Sequence, residues 1–266
     1  MLGLGVRCIG LNRFILSSYY SLEVVVEQVT DALLPYYGPI ARGWLSNTLH
    51  ADPEVWGLLV RNPYVDVRPY FLSTSHDGRT IRVRLNLMGY GKKFARRVVD
   101  LLGSRVEGNL GGVECRVKRI SYEERNIVVS QLGREIEVEF LTPTALMSDG
   151  RRRLAPTLAD VIAALVRGCN KFAKYYMKKC YPIRVCDSTR RADAEVLSLD
   201  IKPFMWKHRI RMGRTIPQSG ITGRMKVCAT KMTAEMRKVL SLSQVIQVGR
   251  WVSYGFGKIE VRSIDN

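Results

Sequence analysis

The sequence is poor in several things, and each shortage removes a class of function. It contains no run of about 18 uninterrupted apolar residues, which argues against a membrane-spanning helix. Histidine occurs three times, as His50, His76 and His208. The six cysteines are Cys8, Cys115, Cys169, Cys180, Cys186 and Cys228, and no two stand at C-x2-C spacing. Zinc or a disulfide framework therefore has poor support, and the cysteines read as reduced, mostly buried thiols of a cytoplasmic protein. Carboxylates are scarce too, with 24 Asp+Glu against 42 Lys+Arg. Nothing resembles the paired carboxylates that hold Mg²⁺, so neither metal nor cofactor is expected.

What remains is a chain of 266 residues with 46% apolar residues and a formal charge of +18. That length suits one large or two ordinary domains with a sizeable core. The positive excess is spread along the chain, so it belongs to folded surfaces, and it fits a polyanion partner. Nucleic acid is favoured over a membrane. The apolar segment Met1–Ser18 is interrupted by Arg7, Asn12 and Arg13 and has no convincing cleavage site. It reads as an extension, residues 1–20, ahead of domains over residues 21–125 and 126–266.

Periodicity orders the rest. Strands are predicted over Ser21–Glu27, Val67–Ser73, Thr80–Met88 and Val113–Ser121, and helices over Ile40–His50 and Lys92–Leu102. Gly38-Pro39 and Asp52-Pro53-Glu54 are helix starts, and Ser75-His76-Asp77-Gly78 is a hairpin turn that leaves His76 in solvent. The second half repeats the order: a strand over Arg134–Leu141 ended by Thr142-Pro143-Thr144, a long helix over Leu158–Lys178, strands over Val196–Arg211 and Gly220–Ala229, a helix over Thr233–Leu240 and a closing strand before Val261. Both halves read β-α-β-β-α-β, so the fold class is α+β with two tandem ferredoxin-like (RRM-like) domains.

Several pieces, in order, resemble one family. Gly38-Pro39-Ile40-Ala41-Arg42-Gly43 is similar to its glycine and Arg-Gly at the first helix. Arg68-Pro69-Tyr70, Leu87-Met88-Gly89, Leu141-Thr142-Pro143-Thr144 and Gly220-Ile221-Thr222-Gly223 follow at the expected places. Last comes the glycine-rich stretch Val248–Gly257, which ends in Gly-Phe-Gly. Across residues 20–262 the chain resembles the CRISPR-associated endoribonucleases of the RAMP superfamily, which cut precursor CRISPR RNA at its repeats. The resemblance implies two ferredoxin-like domains in tandem. It also implies cleavage without metal, in which the 2′-OH attacks the adjacent phosphate and leaves 2′,3′-cyclic phosphate and 5′-OH ends. The partner is then CRISPR repeat RNA, with effector-complex subunits and a second copy of the chain as candidate further partners. A non-catalytic RAMP subunit that holds guide RNA is the alternative.

Such chemistry needs a base for the 2′-OH proton and positive charge for the developing oxyanion. The catalytic candidates are His50, at the end of the first helix; His208, within a basic run; and Arg61, where some relatives carry their histidine. Candidate RNA contacts are Arg42 beside a helix start, and Lys92, Lys93, Arg96 and Arg97, two i, i+4 pairs of like charge whose repulsion a polyanion would relieve. Arg151, Arg152 and Arg153 on a turn, and Lys207 and Arg209, join them. So do Gly249, Arg250, Trp251, Tyr254, Gly255 and Gly257, where arginine and aromatics in a glycine-rich loop suit phosphates and unstacked bases.

Overall fold

A computed structural model describes residues 9–29, 34, 36–61, 67–104, 107–110, 113–148, 150–209 and 215–264. The chain divides into two compact units. One holds residues 18–126 together with Ser253–Gly255, and the other holds the described residues of 1–17, 127–252 and 256–266.

The first element of the described residues is helix α1 (Ile9–Ile15), which belongs to the C-terminal unit. The N-terminal unit follows with strand β1 (Ser18–Gln28), helix α2 (Gly38–Leu49), and helix α3 (Pro53–Trp56), which runs into a π-helical turn over Gly57–Arg61. Strands β2 (Tyr70–Asp77) and β3 (Thr80–Met88) lead into a 3₁₀ turn over Gly89–Phe94 and helix α4 (Ala95–Gly103). Strands β4 (Glu107–Leu110) and β5 (Val113–Asn126) close the unit. The sheet is antiparallel in the order β2-β3-β1-β5-β4, the ferredoxin-like arrangement with β4 added as a hairpin to β5.

Alternation makes this sheet one-sided. Leu22, Val24 and Val26 on β1 and Ile81, Val83, Leu85 and Leu87 on β3 are buried, while Arg82 and Arg84 face solvent. The apolar face packs on Leu45 and Leu49 of α2 and Val98 and Leu102 of α4. Proline at the first turn starts α2 without needing the N–H it lacks. The Asp52 carboxylate caps α3, accepting from Glu54 N and Val55 N, both at 3.1 Å.

In the C-terminal unit, strand β6 (Glu135–Thr144) precedes a small hairpin of β7 (Met147–Ser148) and β8 (Arg151–Arg152). Helix α5 (Leu158–Tyr176), helix α6 (Asp187–Arg191), strands β9 (Ala194–Arg209) and β10 (Thr215–Ala229), helix α7 (Ala234–Ser241) and strand β11 (Ile259–Ser263) complete it. The order β11-β6-β10-β9 is again ferredoxin-like. Thr157 and Asp160 form a reciprocal capping box at the start of α5, which buries Leu158, Ile162, Leu165, Cys169 and Phe172. The acids of β6 are answered across the sheet, Glu139 by Arg224 at 3.0 Å and Glu137 by Arg262.

The structure departs from the sequence expectations at definite places. Residues 9–20 are not an extension: Leu11 and Phe14 of α1 are fully buried, Phe14 packs edge-on to Phe172, and Ser18 opens β1. Thr142-Pro143-Thr144 does not end β6. The strand continues to Thr144, and Pro143, which cannot donate, sits where the β6–β10 register shifts between Ile221 and Gly223. His76 is exposed, as expected, but lies in β2 opposite Ile81 with its ring against Tyr37; the turn is Gly78-Arg79. Cys115, Cys169, Cys180, Cys186 and Cys228 are free, and Cys8 lies outside the described residues. Burial pushes the Cys169 thiol upward, so it is an inert core group. Among the described residues no helix is long and apolar enough to cross a membrane.

Candidate RNA-binding and cutting site

His50 follows the last residue of α2, its N–H donating to Ser46 O at 3.1 Å. The cap at Asp52 then fixes the start of α3, which buries Val55 and, one turn later, Leu59. That phase leaves Trp56 half-buried at the surface of the corner. The His50 ring meets Trp56 edge-on at 4.8 Å, and the Arg61 guanidinium lies 5.5 Å from the centre of the same indole. Two catalytic candidates, an imidazole and a permanent cation, are thus held on one aromatic platform, both exposed. The sequence reading missed Trp56; its signal was an aromatic residue between two candidate groups.

Arg42 projects from α2 with its guanidinium 4.0 Å from the centre of the Tyr254 ring. Tyr254 belongs to the crest of the glycine-rich loop, Ser253–Gly255, which groups with the N-terminal unit and not, as expected, with the second domain. The Tyr36 hydroxyl donates to the Tyr254 carbonyl at 3.2 Å. Glycine is required on both sides of this contact. A Cβ on Gly38 would lie 2.2 Å from Tyr254 O, and Gly255, at φ +84°, would place one 2.7 Å from the Tyr36 hydroxyl. Nearby, burial pushes the Tyr70 phenol above its ordinary range, while the Arg42 and Arg68 charges pull the other way.

The cations around α4 differ from expectation. Lys92 and Lys93 sit in the 3₁₀ turn, and much of the predicted repulsion is already answered by acids. Lys92 Nζ donates to Glu124 at 2.6 Å and to Ser18. Arg97 holds Asp52 at 2.5 Å and Glu54 at 2.7 Å. The Arg97 hydrogen bond is the main reason the Asp52 carboxyl lies below its usual range, with the backbone N–H of Val55 helping. Lys93 lies over Tyr90. Arg96 is exposed and has no acidic partner among the described residues.

In the C-terminal unit the hairpin β7–β8 presents Arg151, Arg152 and Arg153, all exposed. Arg152 lies 5.6 Å from the centre of the Trp251 ring, and Arg153 is 3.8 Å from Asp160. Arg250 is exposed, and its backbone N–H donates to Ala145 O at 3.1 Å, fastening the loop arm to the end of β6. Trp251, at φ +60°, is half-buried and edge-on to Phe256. Gly249 (φ +89°) and Gly257 (φ +83°) take left-handed backbone, and the Gly257 N–H donates to Pro143 O. Lys207 is exposed on β9. His208 and Arg209 end that strand opposite Ile216 and Thr215, and their side chains lie outside the described residues. Among the described residues no three His, Cys, Asp or Glu side chains gather where they could hold a metal ion.

Residues 138–259, which run from β6 through the glycine-rich loop, match the family model of CRISPR-associated endoribonuclease Cas6. That match spans a little under half of the chain. No curated protein matches it. Among solved structures it is similar to a Cas6 product complex, at 19% identity and TM-score 0.63, covering 92% of this chain and 100% of that one. Thermus thermophilus Cas6 gives 16% identity and TM-score 0.64, with 92% and 99% covered. A RAMP protein binding different RNA substrates gives 13% identity and TM-score 0.57, with 91% and 99% covered. At these identities the structural likenesses speak for the fold: two ferredoxin-like domains in tandem over nearly the whole chain.

Proposed function

We propose that this protein is an endoribonuclease that binds CRISPR repeat RNA and cuts the precursor within each repeat. The observation that carries the reading is the Cas6 endoribonuclease match from Val138 to Ile259, which includes the loop whose arms and crest were singled out in the sequence. Cutting is metal-independent. The 2′-OH beside the scissile phosphate attacks it in line, the 5′-oxygen leaves, and the products carry a 2′,3′-cyclic phosphate and a 5′-OH.

His50 takes the 2′-OH proton, and water gives a proton to the departing 5′-oxygen. Arg61, fixed against the same indole, meets the charge that builds on the phosphoryl oxygens. The exposed edges of both groups support these roles, and Trp56 limits how far either can swing. Arg42, stacked on Tyr254, and the loop-arm cations Arg250 and Arg152 position the RNA backbone, a task for which a planar guanidinium is suited. His208, Lys207 and Arg209 contribute binding rather than proton transfer.

Incubating the full chain with repeat RNA from its own array, in EDTA, tests the reading. The expected result is one cut per repeat. Tight binding with no cut on several cognate repeats would instead make it a guide-RNA-holding subunit.

A further inference from the structure

A concavity of about 410 Å³ on the N-terminal unit is lined by Tyr20, Lys92, Lys93, Ala95, Arg96 and Tyr122. Its floor is the end of the β1–β5 ladder. Tyr20 pairs with Glu124 and Leu22 with Tyr122, so both tyrosines lie diagonally on the helix-facing side of the sheet. Their ring centres are 6.2 Å apart. Further along β1 this face is sealed by Leu22, Val24 and Val26, but Tyr122 is 41% exposed. Its wall is cationic. Lys92, 5.4 Å from the centre of the Tyr20 ring, is held by Glu124 and Ser18. Arg96 is exposed and has no acid among the described residues to satisfy it.

We propose that this concavity takes one unpaired nucleotide of a bound RNA, its base stacked on Tyr122 and Tyr20 and its phosphate on Arg96 and Lys93. A bare phosphate would make no use of two ring faces, and an apolar ligand would leave the cations uncompensated. A nucleotide uses both, and the volume falls within the range of small-ligand sites, roughly 300–1,000 Å³. Every base has a π-face, so the site tolerates any base and selects for a single-stranded position. The inference rests on the reading of the chain as RNA-binding and adds a place where the RNA must be unpaired.

The test uses the full chain and a labelled, short unstructured RNA, with an otherwise identical RNA lacking its bases. Tyr122→Ala should weaken binding of the intact RNA roughly 5- to 150-fold, the range that base–aromatic stacking spans per base. Tyr122→Phe should bind as the parent does. Tyr122→Ala should lose nothing further on the baseless RNA. Arg96→Ala should reduce the slope of log affinity against log salt by about 0.7. Equal affinities for Tyr122→Ala and Tyr122→Phe, or a baseless RNA bound as tightly as the intact one, overturn the site. If repeat RNA is cut but Tyr122→Ala binds like the parent, the site falls alone. If stacking-dependent binding occurs and no repeat is ever cut, the processing activity falls and the site stands. A parent protein that binds neither RNA removes both.

Discussion

The two units share a strand order and differ in how their cations are disposed. In the N-terminal unit two of the basic side chains around α4 are tied to acids from other elements, Lys92 to Glu124 and Arg97 to Asp52 and Glu54, while Arg96 has no acidic partner among the described residues. In the C-terminal unit the acids of β6 are answered by Arg224 and Arg262 on neighbouring strands. Arg151 of its small hairpin, Arg250 of its glycine-rich loop and Lys207 of β9 have no acidic partner among the described residues. An ion-paired cation gives up one anion to gain another, so it adds little net affinity for phosphate. A bare one releases counterions and adds more. On the proposed reading, uncompensated charge beside an aromatic, and not charge alone, marks where RNA would bind. The N-terminal unit then supplies the corner where chemistry is proposed, and the C-terminal loops supply attraction.

The largest effect expected to break this contrast is on the rate. His50→Ala should slow single-turnover cutting by about 10²–10⁴-fold with RNA binding retained, as removal of a general base does. His208→Ala should change binding more than rate. A reversed outcome, read from single-turnover time courses and binding curves of both variants, would move the chemistry to the C-terminal unit.

Next comes a comparison of two glycines. A Cβ on Gly257 would lie 2.0 Å from Val248 O at a φ of +83°, so Gly257→Ala should cost about 3 kcal/mol and lower the melting temperature by several degrees. Gly43, in the Arg-Gly pair of α2, is exposed and would set its Cβ within 4 Å of nothing. Gly43→Ala should therefore stabilise the helix by about 0.5–1 kcal/mol. Thermal melts of the two variants decide whether the loop arm or the helix start is the more constrained.

A smaller effect sharpens the charge argument. Arg250→Ala should reduce the salt slope of single-stranded RNA binding by about 0.7. Arg97→Ala should leave that slope nearly unchanged while loosening α3, because it strands Asp52 and Glu54. Equal slopes in both variants would erase the distinction between paired and bare cations.

The smallest effect is one of pH. Asp52 is held below its usual range by Arg97 first and by the α3 backbone second. Its contribution is complete above the unfolded value, about pH 3.9, and disappears as pH falls through the lower folded value. Asp52→Asn keeps a capping side chain and removes the charge. Its melting-temperature deficit should be present at about pH 7 and shrink as pH falls below about 3.9 towards the lower folded value.

What was legible in the sequence follows from range. Thr80–Met88 is found residue for residue, because strict alternation behind Asp77-Gly78 is a local signal. The glycine-rich loop was legible as a motif, but the home of its crest was not. Tyr254 meets Tyr36 and Arg42 across more than two hundred positions, and no window holds both sides. The same limit hid α1, whose burial depends on Phe172, and the acids that answer Lys92 and Arg97. Pro143 misled for a different reason. A missing N–H ends a ladder only where that donor is needed, and here it falls at a register shift. In the candidate site, the helix that carries Arg42 and its end at His50 were legible in the sequence, while the indole that joins His50 to Arg61 was not.

The central claim is that the RNA's own 2′-OH does the cutting. Its most direct test is end-group analysis of cleaved repeat RNA, run beside a substrate with a single 2′-deoxy substitution at the cut site. The account predicts 2′,3′-cyclic phosphate and 5′-OH ends from the unmodified RNA and no cut in the substituted one. Products with 3′-OH and 5′-phosphate ends, or unchanged cutting of the 2′-deoxy substrate, would contradict it.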